Sequence, residues 1–158
     1  GPIGILAAWC ALESGFEVTV LSREEPDSAR ARLLRENGVG YTQTLDGVSA
    51  DIIIEACGSA LLAVASMRAL RRLGVLILLG ARPAEVTLPC LDMIIGNHIL
   101  AASVNASREH FRMAVERLRR YDRRWLDALL HRVPLDHAAE WLYRPPSDAV
   151  KIVHRISD

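Results

Sequence analysis

Gly1-Pro2-Ile3-Gly4 stands directly before an apolar run, Ile5 to Leu12. Two glycines at the head of a helix suit one kind of chemistry. The backbone can approach a pyrophosphate, while unpaired N–H groups and the positive end of the helix dipole face the anion. In a G-x-G-x-x-G fingerprint the second glycine allows that approach and the third allows close packing of helix on strand, behind a buried strand and a first glycine. Only the last two glycines are here. The spacing therefore predicts a dinucleotide-binding turn read from just after its first strand, and with it a unit of a nicotinamide-dependent oxidoreductase.

The tip of the next strand normally discriminates between the two nicotinamide cofactors, because an acid there accepts from the ribose 2′-OH and repels a 2′-phosphate. This chain has Ser22-Arg23-Glu24-Glu25. Ser22 stands where the acid is expected, and Arg23 can pair bidentately with a phosphate, which favours NADP and leaves NAD open. Glu24 argues partly the other way, by about 1 to 4 kcal/mol at roughly 4 Å before screening. The alternative is that Arg23 and both glutamates form a solvated loop.

Gly80-Ala81 and Ser103-Val104-Asn105 fall at the carboxyl ends of two predicted strands, where ligands of open α/β sheets bind. Asn105 can donate and accept, which suits a nicotinamide carboxamide or a substrate hydroxyl; its other reading is a turn residue leading into the following helix. Glu55 either borders the cofactor or is a strand-end polar residue. His98, His110, His131, His137 and His154 are scattered and read as surface or helix-end side chains rather than metal ligands. No Ser/His/Asp or Cys/His arrangement is present, so neither a catalytic residue nor a metal ligand is assigned. Trp9, Trp125 and Trp141 fit apolar helix faces.

These residues need a scaffold, and the pattern supplies one. Helices are predicted at Ile5 to Ser14, Ser28 to Glu36, Ala60 to Leu73 and Arg108 to Tyr121, the last capped by Ser107 with Phe111, Ala114, Val115 and Leu118 on one face. Trp125 to Leu130 and Ala138 to Leu142 are shorter candidates, and a loop with Pro83 and Pro89 leads to the apolar segment Leu91 to Ile95. Strands are predicted at Phe16 to Leu21, Val39 to Thr42, Asp51 to Ala56, Val75 to Leu79 and Ile99 to Val104, with a final extended segment from Val150 to Ile156. Asp51 to Ala56 and Val75 to Leu79 lack alternation, as expected of strands covered on both faces. Strict alternation of the two element types predicts an α/β fold, a Rossmann-type doubly wound parallel sheet truncated at its N-terminus, with the first strand missing. Residues 1–146 form that domain, and 147–158 are expected to pack toward a catalytic domain outside the chain.

The composition fits. The 158 residues are 51% apolar, with 19 acidic and 19 basic residues and zero formal net charge, which excludes an extended nucleic-acid surface or an anionic-membrane anchor. Cys10, Cys57 and Cys90 are odd in number and far apart, which points to a reducing cytoplasm rather than to a disulfide framework. Ile5 to Leu12 is too short to span a bilayer, and no basic leader precedes it.

At Gly1-Pro2-Ile3-Gly4, Ser22-Arg23-Glu24-Glu25-Pro26 and above all Asn97 to Phe111 (NHILAASVNASREHF), the chain resembles the zinc-dependent medium-chain dehydrogenases of the glucose 1-dehydrogenase type, in their carboxy-terminal domain. The resemblance implies hydride transfer from an aldose or polyol to NADP or NAD, with catalytic zinc in the missing catalytic domain. It implies that Gly1, Pro2, Ile3 and Gly4 form the pyrophosphate turn and that Ser22, Arg23 and Glu24 form the adenosine-ribose or 2′-phosphate site. Leu79, Gly80, Ala81, Ser103, Val104 and Asn105 would line the nicotinamide, with Asn105 reaching the sugar, and Lys151 matches a family lysine near the cofactor. An exposed strand lysine is the alternative for Lys151. Glu24 replaces a second arginine of the family pattern. The fragment alone is expected to be inactive, and Ile99 to Val104 is expected to pair with its copy in a homo-oligomer. Another medium-chain alcohol or threonine dehydrogenase, or a non-catalytic nucleotide-binding module, remains an alternative.

Overall fold

A computed structural model of the chain describes residues 1–146 and 149–156. Helix α1 (Pro2–Glu13) leads to β1 (Thr19–Leu21), α2 (Ala29–Glu36), β2 (Gly40–Thr42), β3 (Ala50–Glu55), α3 (Ala60–Met67) and β4 (Leu70–Leu78). After these come α4 (Cys90–Gly96), β5 (Ile99–Ala102), α5 (Arg108–Leu118), α6 (Arg123–Leu129), β6 (Leu130–Pro134), a 3-10 turn, α7 (Ala138–Tyr143) and β7 (Lys151–Arg155). Every strand pairing is parallel.

The expected single sheet is divided among three: β1-β2, β3-β4-β5 and β6-β7. In the order 3-2-1-4-5-6, the first two are the flanks on either side of strand 1. β3 has a ladder partner only on its β4 side, and its faces are less covered than expected, with Ile52 and Ile54 43% and 37% exposed. The proposed boundary at residue 146 falls between β6 and β7, which pair with each other from Leu130↔Lys151 to Pro134↔Arg155. Ser147, Asp148, Ser157 and Asp158 of the 147–158 segment lie outside the described residues.

Helix α3 ends at Met67, six residues before the predicted Leu73. Ala69 and Leu70 are buried and join the start of β3, with the Ala50 N–H donating to the Ala69 carbonyl at 2.9 Å. The register then jumps from Ala50↔Leu70 to Ile52↔Val75, and the exposed Leu73 takes φ 64° in the bulge between. A short apolar run serves helix or strand equally well, so periodicity alone could not place this boundary. The same ambiguity put Leu130 in the predicted Trp125 to Leu130 helix, whereas it opens β6.

Two apolar clusters hold the elements together. In one, Ile5, Ala8 and Trp9 of α1 meet Leu34, Val39 and Leu129. The Trp9 ring packs edge-on against Tyr121 at 5.8 Å and lies 5.7 Å from Trp125. In the other, Ala63 and Met67 of α3 cover Leu70 and Leu76 of β4. The amphipathic face of α5 is largely solvent-facing, with Phe111 65% and Val115 50% exposed.

Candidate functional site

Helix α1 opens on the glycine turn. Gly1 is its N-cap and makes no side-chain cap, and Pro2, which has no N–H, occupies the first turn. A β-carbon on Gly1 would meet no atom within 4 Å. One on Gly4 would lie 3.8 Å from Ala56 Cβ, an ordinary contact that admits alanine but leaves little room for more.

The strand tip after β1 lies beside this turn. Gly1 lies within electrostatic reach of Glu24 and Arg30, beyond the β1 tip, and of Cys57, after β3. The starts of α1 and α2, the β1 tip and the turn after β3 therefore share one electrostatic neighbourhood. Ser22 is tied to β2 by its N–H on the Thr42 carbonyl at 3.1 Å, and its Oγ accepts from the Glu24 N–H at 3.4 Å. Arg23 is exposed, and its charge reaches Cys57, whose thiol is pushed up first by burial and then by its bond to Glu55. Glu24 does not stand free: its carboxylate pairs with Arg30.

At the strand ends, Glu55 is the organising residue. Its buried Oε1 accepts from the Cys57 N–H at 2.8 Å and the Ser59 N–H at 3.2 Å. Burial pushes its carboxyl upward, but hydrogen bonds from Cys57, Ser59 and Gly58 outweigh it and hold the pKa below the ordinary value. The Glu55 carbonyl accepts from the N–H groups of Leu79 at 2.8 Å and Gly80 at 3.1 Å, joining the ends of β3 and β4. Glu55 and Gly80 border a cleft of about 200 Å³ with Gly58, Leu78, Arg82 and Leu100 on its walls.

Ser103 continues the ladder one step past β5, its N–H on the Leu78 carbonyl at 3.1 Å, which sets Ser103 beside Leu79. Val104 is 82% exposed, and Asn105 is exposed with φ 64°, a left-handed turn that asparagine tolerates. Both readings of Asn105 are thus compatible with one geometry: it turns the chain into α5 and stands at a strand end. Ser107 caps α5 by accepting from the His110 N–H at 3.2 Å, and His110 Nδ1 accepts from the Ser107 N–H at 3.3 Å. Lys151 opens β7 and is exposed; Arg30 donates to the Ala149 carbonyl two residues earlier at 2.7 Å, linking this segment to the β1 tip.

Sequence reasoning assigned no role to Arg30. It is six residues from Glu24, a spacing that matches no helical pair, and only the fold of the loop shows the connection. Glu55 carried a signal, a carboxylate ending a buried run, but not its partners.

Comparison with known proteins agrees with this geometry. Residues 1–156 match the family model described as glucose dehydrogenase C-terminus. Glucose 1-dehydrogenase 1 of Caldivirga maquilingensis is 33% identical across 99% of this chain and 48% of its own length. Glucose 1-dehydrogenase of Methanocella arvoryzae is 28% identical across 97% of this chain and 48% of its own length. The chain thus spans about half the length of the curated relatives it matches. Among solved structures, the Haloferax mediterranei glucose dehydrogenase in complex with NADP, Zn and gluconolactone superposes with a TM-score of 0.85 at 24% identity, over all of this chain and 49% of that one. An alcohol dehydrogenase from Thermotoga maritima gives 0.84 at 25% identity, over 96% of this chain and 47% of that one. With parallel strands, alternating helices and a family match over nearly its whole length, this chain has a Rossmann-like fold and belongs to the glucose dehydrogenase C-terminus family.

Proposed function

We propose that this chain is the cofactor-binding portion of an NAD(P)-dependent dehydrogenase that takes hydride from C1 of an aldose such as glucose and leaves the lactone. The observation that carries the reading is the open, uncapped glycine start of α1 in a chain whose residues 1–156 match the glucose dehydrogenase C-terminus family. The named relatives are glucose dehydrogenases, and the similar Haloferax structure holds NADP and gluconolactone.

The residues fit a dinucleotide. Gly1, Pro2, Ile3 and Gly4 offer the pyrophosphate an open, uncapped helix start. Ser22, Arg23 and Glu24 take the adenosine ribose, with the exposed Arg23 available to a 2′-phosphate. Leu79, Gly80 and Ala81, with Ser103, Val104 and Asn105, take the nicotinamide; Asn105 also reaches a sugar hydroxyl, and Lys151 supports the cofactor. The bound nicotinamide accepts the hydride, and this chain binds and orients it. The described residues hold no group of three or more His, Cys, Asp or Glu that could bind a metal ion, so they do not fit zinc. Zinc is assigned to a catalytic half such as the relatives' additional length could supply.

Titrating the intact protein with NADP and NAD, then offering aldoses, secondary alcohols and threonine with zinc present, tests this. Aldose turnover supports the reading. Turnover confined to alcohols or threonine makes it another medium-chain dehydrogenase, and nucleotide binding with no turnover makes it a binding module. Two further points belong to the proposal. The β5 edge, with Ile99 56% exposed, pairs with a second copy across a two-fold axis. The three free thiols suit a cytoplasmic location, and no helix among the described residues is long and apolar enough to cross a membrane.

A further inference from the structure

The main chain of Glu24 is pinned on both sides. Its carbonyl accepts from the Tyr41 hydroxyl at 2.6 Å and from Gln43 Nε2 at 3.0 Å, and its N–H donates to Ser22 Oγ at 3.4 Å. From that fixed backbone the carboxylate turns onto Arg30 in the first turn of α2, forming an ion pair whose side chains are 34% and 22% exposed. Arg30 is itself anchored, because its Nη2 donates to the Ala149 carbonyl at 2.7 Å. The carboxylate therefore has a fixed root and a fixed counter-ion.

A free acid at such a strand tip accepts from ribose hydroxyls and repels a 2′-phosphate. An acid paired with a guanidinium presents a dipole, whose field falls off faster than that of a charge. One of its oxygens is also already occupied. Resting on the cofactor reading above, we propose that Arg30 is a specificity-determining residue: by holding the Glu24 carboxylate it lets an acid-bearing strand tip accept a 2′-phosphorylated nucleotide. Arg30 is thus a positioning residue that acts through Glu24, leaving Arg23 as the cation at the tip that meets the phosphate.

The test is a double-mutant cycle in the intact protein, with equilibrium Kd measured for NADP and NAD separately. Arg30→Met is expected to weaken NADP about tenfold relative to NAD, the equivalent of about 1.4 kcal/mol. Arg30→Met with Glu24→Gln is expected to recover most of that loss, because the unmasked charge is gone. A loss shared equally by both nucleotides would make Arg30 a structural brace only, and a selective loss that Glu24→Gln does not recover would mean direct phosphate contact. Either result overturns the proposal while leaving the cofactor reading intact. If the folded wild type binds neither nucleotide, the cofactor reading fails and the proposal falls with it.

Discussion

Gly80 packs so tightly against Gly58 that a β-carbon on it would fall 2.0 Å from the Gly58 nitrogen and 2.6 Å from Glu55 Oε2. No side chain fits there without moving the turn that follows β3. Gly80→Ala is expected to cost about 1 to 3 kcal/mol of stability and to weaken nucleotide binding, because it separates the two strand ends. Urea unfolding and cofactor titration of the same variant check both effects; an unchanged midpoint contradicts the packing argument.

Glu55 links that turn to pH. Its folded pKa lies below the ordinary value of 4.5, so its contribution is present at neutral pH and is lost as pH falls toward the folded pKa. Glu55→Gln is expected to cost about 1 to 3 kcal/mol at pH 7, the scale of a buried hydrogen-bonding group that loses its charge. The gap between variant and wild type should narrow below about pH 4.5, as the wild-type carboxyl is protonated. Denaturation midpoints across that range read this directly, and a gap constant with pH would remove the charged carboxylate from the account.

Trp9 is 1% exposed and holds α1 against Tyr121 and Trp125. Trp9→Ala is expected to cost about 3 to 5 kcal/mol, the scale of an aromatic side chain deleted from a core. Because α1 carries the glycine turn, cofactor affinity should fall as well. A variant with wild-type stability would show that this cluster does not anchor the helix.

The β5 edge supplies a separate check. Ile99→Lys places a charge on an exposed strand edge, which opposes edge-to-edge pairing. Size-exclusion chromatography at micromolar concentration should show a dimer for the wild-type protein and a monomer for the variant. A monomeric wild type removes the dimer proposal.

The sequence exposed the fold where chemistry punctuates it. Ser107 caps α5 and Asn37-Gly38 ends α2, as their residue types predict, while Ser28, expected within α2, caps it instead. It was least legible where apolar runs carry no period. The helix expected to reach Leu73 stops at Met67, and Leu130–Pro134 forms an unforeseen strand, because pairing with β3 and β7 decides those boundaries. At the site, Gly1 and Gly4 had visible types and spacing. The engagement of Glu24 by Arg30 did not, since a loop conformation rather than a helical repeat brings them together.

The central claim is that the glycine turn and the β1 tip bind a phosphorylated dinucleotide, and the most direct measurement is the affinity of the intact protein for NADP and for NAD, with and without Arg23→Ala. The account predicts tighter binding of NADP, weakened roughly tenfold or more by Arg23→Ala, as expected for loss of a charge-assisted phosphate contact, with a much smaller effect on NAD. Failure of a folded protein to bind either nucleotide would contradict it, and would leave the Gly1 to Gly4 turn a structural feature alone.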